Sequence, residues 1–202
     1  SLAGETLQAD ISQKTITITG SSAADKVYDG NTTATITEGA LVGVVGGDTV
    51  TVSGSGTFAD KNVGTDKNVT TTYALAGTDG GNYSLAGETL QADISQKTIT
   101  ITGSSAADKV YDGNTTATIT EGALVGVVGG DTVTVSGSGT FADKNVGTDK
   151  NVTTTYALAG TDGGNYSLAG ETLQADVSQK TITITGSSAA DKVYDGNTTA
   201  TI

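Results

Sequence analysis

The chain has 202 residues, a formal net charge of −12, no Cys, His, Pro, Met or Trp, and 10 basic residues that are all Lys. Without His or Cys it offers no Ser–His or Cys–His nucleophile, no His- or Cys-ligated zinc and no disulfide framework. So acidic a chain lacks the basic patches that nucleic acid or an anionic membrane surface requires, and no apolar run approaches the roughly 20 residues of a membrane helix.

In chain order, alternation of apolar and polar residues marks strands. Leu7, Ala9 and Ile11 share one face, and Lys14–Thr19 puts Ile16 and Ile18 on one side and Thr15, Thr17 and Thr19 on the other. Thr33–Thr37 turns Ala34 and Ile36 inward, and Thr49–Ser53 does the same with Val50 and Val52. Ala40–Val45 reads either as a crossing segment or as a short helical turn. A short strand surrounds Phe58, Asn68–Leu75 aligns Val69, Thr71, Tyr73 and Leu75, and another short strand covers Tyr83–Leu85. Leu90–Ile94 turns Leu90, Ala92 and Ile94 inward. Turn residues separate these runs at Asp29-Gly30-Asn31, Gly46-Gly47-Asp48, Asp60–Gly64 and Asp79–Asn82. The pattern predicts an all-β fold of tandem antiparallel, immunoglobulin-like β-sandwich domains arranged as an extended rod. The predicted core is Ile16, Ile18, Ile36, Val50, Val52, Phe58, Tyr73, Leu75, Leu90, Ala92 and Ile94.

The whole pattern recurs. Ser1–Tyr83 returns as Ser84–Tyr166, and Ser167–Ile202 begins a third copy whose one difference is Val177 in place of Ile11 and Ile94. This period is too long for a solenoid coil and suits one small domain per repeat. Ile11 and Ile16 have opposite parity, so one strand cannot bury both sets on a single face. The switch falls at Ser12-Gln13-Lys14, and again at Ser95-Gln96-Lys97 and Ser178-Gln179-Lys180. These triplets are the expected inter-domain joints, where a last strand passes into the next first strand without a Gly- or Ser-rich linker. Residues 14–96 and 97–179 are then complete domains, 1–13 the last strand of a preceding repeat and 180–202 the first strands of a following one. The chain reads as a window on a longer array.

Ala24–Thr35 (A-D-K-V-Y-D-G-N-T-T-A-T), Leu41–Val52, Gly56–Gly64, Gly80–Leu85 and Ala92–Ile101 together resemble the YDG repeat domain of large bacterial surface adhesins. The resemblance covers the entire repeat. It implies tandem stalk modules of filamentous-haemagglutinin-like secreted proteins, hence an extracellular or cell-surface location. Members of that family often carry Pro near the joint, where this chain has Ser12-Gln13-Lys14.

The functional expectation is a structural stalk or fibre segment of a bacterial adhesin, spacing a distal binding region from the cell. The alternative is that the repeats themselves form a biofilm-matrix or polysaccharide-binding module, or a self-associating fibre. Exposed aromatics would favour the alternative, because sugars stack on them. Expected partners are neighbouring repeats, with other adhesin fibres or extracellular polysaccharide as further ones; neither nucleic acid nor membrane insertion is expected. No enzymatic activity, catalytic residue or cofactor is expected, since a catalytic carboxylate pair copied identically along an array would be unusual.

Three features have a chemical and a structural reading. The triplets Tyr28-Asp29-Gly30, Tyr111-Asp112-Gly113 and Tyr194-Asp195-Gly196 could form binding loops, but Asp-Gly is turn chemistry and the Tyr suits the end of a core. Asp29, Asp48 and Asp79 are candidate calcium ligands without an Asp-x-Asp-x-Asp-Gly spacing; otherwise they keep the chain soluble. Lys14 and Lys97 could enter a Lys–Asn or Lys–Asp crosslink, or simply guard edge strands.

Overall fold

The computed structural model describes residues 4–202. It is all-β, with only two single-turn 3-10 segments, at Gly80–Asn82 and Gly163–Asn165. The first repeat contributes ten strands: β1 (Lys14–Thr19), β2 (Ser22–Ala23), β3 (Lys26–Val27), β4 (Thr33–Ala34), β5 (Ile36–Thr37), β6 (Ala40–Val42), β7 (Thr51–Phe58), β8 (Gly64–Ala76), β9 (Tyr83–Leu85) and β10 (Thr89–Ser95). The second repeats them as β11 (Lys97–Thr102), β12 (Ser105–Ala106), β13 (Lys109–Val110), β14 (Thr116–Ala117), β15 (Ile119–Thr120), β16 (Ala123–Val125), β17 (Thr134–Phe141), β18 (Gly147–Ala159), β19 (Tyr166–Leu168) and β20 (Thr172–Ser178).

The chain divides into two compact units that do not follow the sequence period. The first comprises the described residues up to Gly103 together with Glu121–Ser136 and Tyr156–Ala169; the second comprises Ser104–Thr120, Gly137–Thr155 and Gly170–Ile202.

In the first unit, β1 lies between β6 and β9, antiparallel to β6 and parallel to β9. The larger sheet runs β3-β10-β8-β7-β4. The hairpin of β7 and β8 is its spine, paired from Thr51↔Ala76 to Phe58↔Val69. β10 pairs with β8 antiparallel, with a bulge between Ala92 and Ile94, and with β3 in parallel. The bulge frees the Asp93 N–H, which donates to Asp25 at 2.7 Å. The ladders are thus mainly antiparallel, with parallel pairs where β9 meets β1 and β10 meets β3. A second three-stranded sheet, β16-β11-β19, belongs to this unit although its strands come from the second repeat.

Alternation placed the register correctly. Ile16, Ile18, Phe58, Ala92 and Ile94 are buried, and Thr15, Thr17, Thr35, Thr51 and Gln91 are exposed. Ile36, Val50, Val52, Tyr73, Leu75 and Leu90 are only half-buried. The reason lies on β7, whose inward positions run Val52, Gly54, Gly56, Phe58. A Cβ on Gly56 would stand 2.5 Å from Ile36 Cδ1, and one on Gly54 would stand 2.9 Å from the Tyr73 ring. Side chains from the neighbouring strands, Ile36 and Tyr73 among them, fill the space that β7 leaves empty. Thr71 is the one polar residue buried within the first repeat's hairpin. Its Oγ1 accepts the Glu88 N–H at 2.8 Å and lies 3.0 Å from the Glu88 carbonyl, so it carries no unmet polar capacity.

The second repeat forms a five-stranded sheet of the same kind, with order β13-β20-β18-β17-β14. The second unit has a core of Ala117, Phe141, Val152, Ala175 and Val177. Lys180–Thr185 repeats the sequence of β1 and β11 yet forms no strand. Ile182 and Ile184 are 84% and 88% exposed, whereas Ile16 is 3% and Ile99 2% exposed. A strand needs ladder partners, and none of the described residues pairs with this segment. Ala40–Val45 resolves as β6 followed by a bend at Gly43, whose φ is 99°.

Candidate functional site

The joint between the first and second repeats carries a set of specific side-chain contacts, all within the first unit. β10 ends at Ser95 and β11 begins at Lys97, so Gln96 alone separates them. The buried positions change parity here: Ala92 and Ile94 are buried on even positions, Ile99 on an odd one. Gln96 Nε2 donates to the Gly164 carbonyl at 3.0 Å, and Ser95 Oγ to the Lys26 carbonyl at 3.3 Å. Lys97 is half-buried at the start of the ladder with Tyr166. At the earlier joint Gln13 makes the same bond to Gly81, and Ser12 and Lys14 are exposed. At the later joint Ser178 bonds the Lys109 carbonyl, while Gln179 and Lys180 are exposed.

One apolar cluster spans this joint. Tyr28, Ala34, Phe58, Val69, Ala92 and Ile94 of the first repeat pack with Ile99 and Tyr166 of the second, backed by Leu124, Val127, Val128 and Leu168. Tyr28 is 1% exposed, and its ring meets Tyr166 edge-on at 5.4 Å between centroids. Burying a phenol requires a partner for its hydroxyl, and Tyr28 donates to Asp131 Oδ2 at 2.8 Å. Tyr166 donates to the same oxygen.

Lys61, in the turn before β8, completes the arrangement. Its Nζ lies 2.8 Å from Asp131 and 3.1 Å from Asp162, and 5.8 Å from the Tyr28 ring centroid. Beside it the Val63 N–H donates to Asn165 Oδ1 at 3.0 Å, and Asn165 Nδ2 to Asn62 at 3.2 Å. Asn165 is therefore buried and satisfied.

The electrostatics follow from this packing. Burial pushes the Asp131 carboxyl up, but Lys61, Tyr166 and Tyr28 outweigh it and hold the group below its ordinary range. Asp131, Tyr28 and Asp162 together hold the Lys61 ammonium above its ordinary value. Burial, reinforced by Asp131, pushes the Tyr166 phenol up to about 12. Asp162 is lowered by the Thr132 N–H and then by Lys61. A charged pair stabilised in this way is a clamp rather than a reactive couple, because amide formation would need a neutral amine and a protonated acid.

The YDG triplets are turns. The Asn31 N–H donates to Asp29 Oδ1 at 3.1 Å, Gly30 has φ 82°, and Lys26 closes the loop on Asp29 at 2.7 Å. Lys109 with Asp112 and Lys192 with Asp195 repeat the ion pair, and Gly113 and Gly196 repeat the positive φ. The Tyr of each triplet differs: Tyr28 is buried, Tyr111 half-buried, Tyr194 93% exposed.

Asp29, Asp48 and Asp79 each have a protein partner. Asp48 accepts from Tyr83 Oη, and Asp79 accepts the Thr49 N–H at 2.8 Å. Among the described residues no group of three or more carboxylates is placed to hold a metal ion. The counterparts of Asp48 and Asp79 one repeat later are Asp131 and Asp162, the pair that grips Lys61. Sequence reasoning picked out Asp48 and Asp79 but not the pairing of their counterparts with Lys61, since Lys61, Asn62 and Val63 sit in a turn where alternation carries no signal. No helix among the described residues is long and apolar enough to cross a membrane.

No curated protein and no solved structure matches the chain. A model of the YDG domain matches it twice, over residues 12–91 and 95–174. With both matches falling on successive copies of the repeat, the chain belongs to the YDG domain family.

Proposed function

We propose that the chain is a structural stalk segment of an extracellular bacterial adhesin, holding a distal binding region away from the cell surface. The observation that carries this reading is the apolar cluster shared by successive repeats, with one residue between β10 and β11. A tether would separate its domains by a solvated linker. Here a pull along the chain must break the packing of Tyr28 on Tyr166 and the Lys61 clamp before the repeats can part.

The aromatics support the stalk over a sugar-binding module. Tyr28, Phe58, Tyr83, Phe141 and Tyr166 are buried, and Tyr194 is exposed in a segment without strands. The test is to delete one repeat, residues 97–179, from the full surface protein. Binding of soluble ligand by the distal region should be unchanged, while attachment to a surface-bound ligand should weaken as reach shortens. Loss of soluble binding, or polysaccharide binding by the 202-residue chain alone, would overturn the proposal.

A further inference from the structure

Where the two repeats meet, Tyr28 and Lys61 on the lower face of one pack against Asp131 and Tyr166 on the upper face of the next. Tyr111 and Lys144 stand at the lower-face positions one repeat later. Those contacts hold repeats together, but a pull along the chain must also pass through each repeat. In the first repeat it enters at Lys14, the start of β1, and leaves at Ser95, the end of β10. Neither strand is at a sheet edge. β1 lies between β6 and β9, and β10 lies between β3 and β8.

β9 leads, through Ala86, Gly87 and Glu88, into β10. Its ladder with β1 is parallel: Lys14↔Tyr83, Thr15↔Ser84 and Ile16↔Leu85. A pull draws β1 toward its own N-terminus and β9 toward its own C-terminus. In a parallel pair these directions are opposed along one axis, so the strands shear past each other and the rungs resist together. In an antiparallel pair both pulled ends would lie at the same end of the ladder, which would open one rung at a time. Side chains add rungs. Gln13 Nε2 donates to the Gly81 carbonyl at 3.0 Å, and Thr15 Oγ1 and Ser84 Oγ share a hydrogen bond at 3.2 Å. β11 and β19, internal to the chain, repeat the arrangement: Lys97↔Tyr166, Thr98↔Ser167 and Ile99↔Leu168, with Gln96 on Gly164 at 3.0 Å and Thr98 against Ser167 at 3.1 Å. Exposed bonds of this kind add little to equilibrium stability, because water competes for both groups. Under shear each one adds a rung.

We propose that the parallel ladder between β1 and β9, copied as β11 and β19, is a shear clamp that carries tension into each repeat. The proposal rests on the stalk reading only in taking the pull to run along the chain. Resistance to force is then set by the rate at which the ladder shears and not by the free energy of unfolding. A repeat of ordinary stability can therefore hold under a pull that would unzip an antiparallel pair. Failure is abrupt. β1 leaves β6 and β9 together, and Ile16 and Ile18, both buried, are drawn out of the core with it.

The experiment is single-molecule force spectroscopy on the 202-residue chain. The chain has no Cys, so a pair of introduced Cys residues sets where the handles attach. Ser12→Cys with Ala86→Cys pulls β1 by its N-terminal end and β9 by its C-terminal end, which shears the ladder. Thr19→Cys with Ala86→Cys pulls both strands by their C-terminal ends, which unzips the same ladder. All three positions are exposed, and exposed Thr17→Cys replaces Thr19→Cys if circular dichroism shows that variant unfolded. At one loading rate the shearing pair should need about twofold more force than the unzipping pair, or greater. Ser12→Cys with Gln96→Cys spans the repeat from joint to joint and should match the shearing pair. Equal forces in the two directions, or a joint-to-joint force at the unzipping value, would overturn the proposal. The stalk reading would survive either result, since it fails instead through lost soluble-ligand binding or through polysaccharide binding by the chain.

Discussion

The repeat provides its own control for the energetic weight of the joint, because one Tyr stands in three identical local sequences with three degrees of cover. Tyr28 is 1% exposed beneath the next repeat's upper face, Tyr111 is half-buried, and Tyr194 is 93% exposed. A fully buried aromatic removes roughly 150–250 Å² from water, and truncating one to Ala typically costs about 3–5 kcal/mol. Tyr28→Ala should fall in that range. It loses the edge-on contact with Tyr166 and one donor to Asp131, although Lys61 and Tyr166 remain to satisfy that carboxylate. Tyr194→Ala should lie within about 0.5 kcal/mol of wild type, as exposed substitutions do. Tyr111→Ala should fall between them. Urea unfolding followed by far-ultraviolet circular dichroism measures the series. With a slope of about 2 kcal/mol per molar urea, Tyr28→Ala should lower the midpoint of the transition that reports the first unit by about 2 M. Equal midpoints for the Tyr28 and Tyr194 variants would show that the shared cluster carries no stability.

The remaining predictions concern charge and close packing. Asp131 is held below its ordinary pKa, so its contribution to the joint is present near neutrality and lost as pH falls through the lowered value. Lys61→Met removes the strongest lowering partner and should shift acid unfolding to higher pH, an effect that Lys144→Met should not produce. Tyr166 is raised to about 12, so the folded state holds this proton more tightly than the unfolded chain. Its contribution is complete below about pH 10 and is lost between about 10 and 12, which an alkaline titration of stability would show as a loss absent from Tyr166→Phe. Gly39→Ala would bring a Cβ within 2.0 Å of the Thr19 carbonyl and should cost at least about 1–3 kcal/mol, while Gly46→Ala meets nothing and should be near neutral; calorimetry compares them.

Between Lys14 and Ser178 most strands and their register were legible because alternation is a local signal, whereas Leu7–Ile11, read as a strand on the same pattern, is exposed and forms none. K-T-I-T-I-T can bury Ile16 and Ile18 in only one way, and the buried positions change parity between Ile94 and Ile99 as the sequence pattern does. The depth of burial was not legible, since it depends on what lies opposite. Nothing in T-V-S-G-S-G-T-F says that Gly54 and Gly56 would make room for Tyr73 and Ile36. Nor does alternation anticipate parallel pairing of β1 with β9, which joins segments 69 residues apart. The clamp was hidden for a further reason. Lys61 and Asp131 are 70 residues apart and belong to different copies, so a reading confined to one repeat assigns them to separate turns.

That arrangement bears on why the copies are nearly identical. If repeats served only to add length, each could drift while keeping its own core. A joint built from two different faces of one sequence imposes a stronger constraint. A change on the lower face must suit the upper face of the next repeat, and every copy carries both. Identical repeats satisfy all joints at once, and any copy can follow any other. The single difference in the chain fits this logic. Val177 replaces the Ile found at position 94, a loss of one methylene at a site that stays 2% exposed. It lies within the core of its own unit and leaves Tyr111, Lys144, Asn145 and Val146 unchanged. The substitution that the array tolerates is one of volume inside a repeat, costing about 0.5–1.5 kcal/mol, and not one of charge or shape on the face where repeats meet.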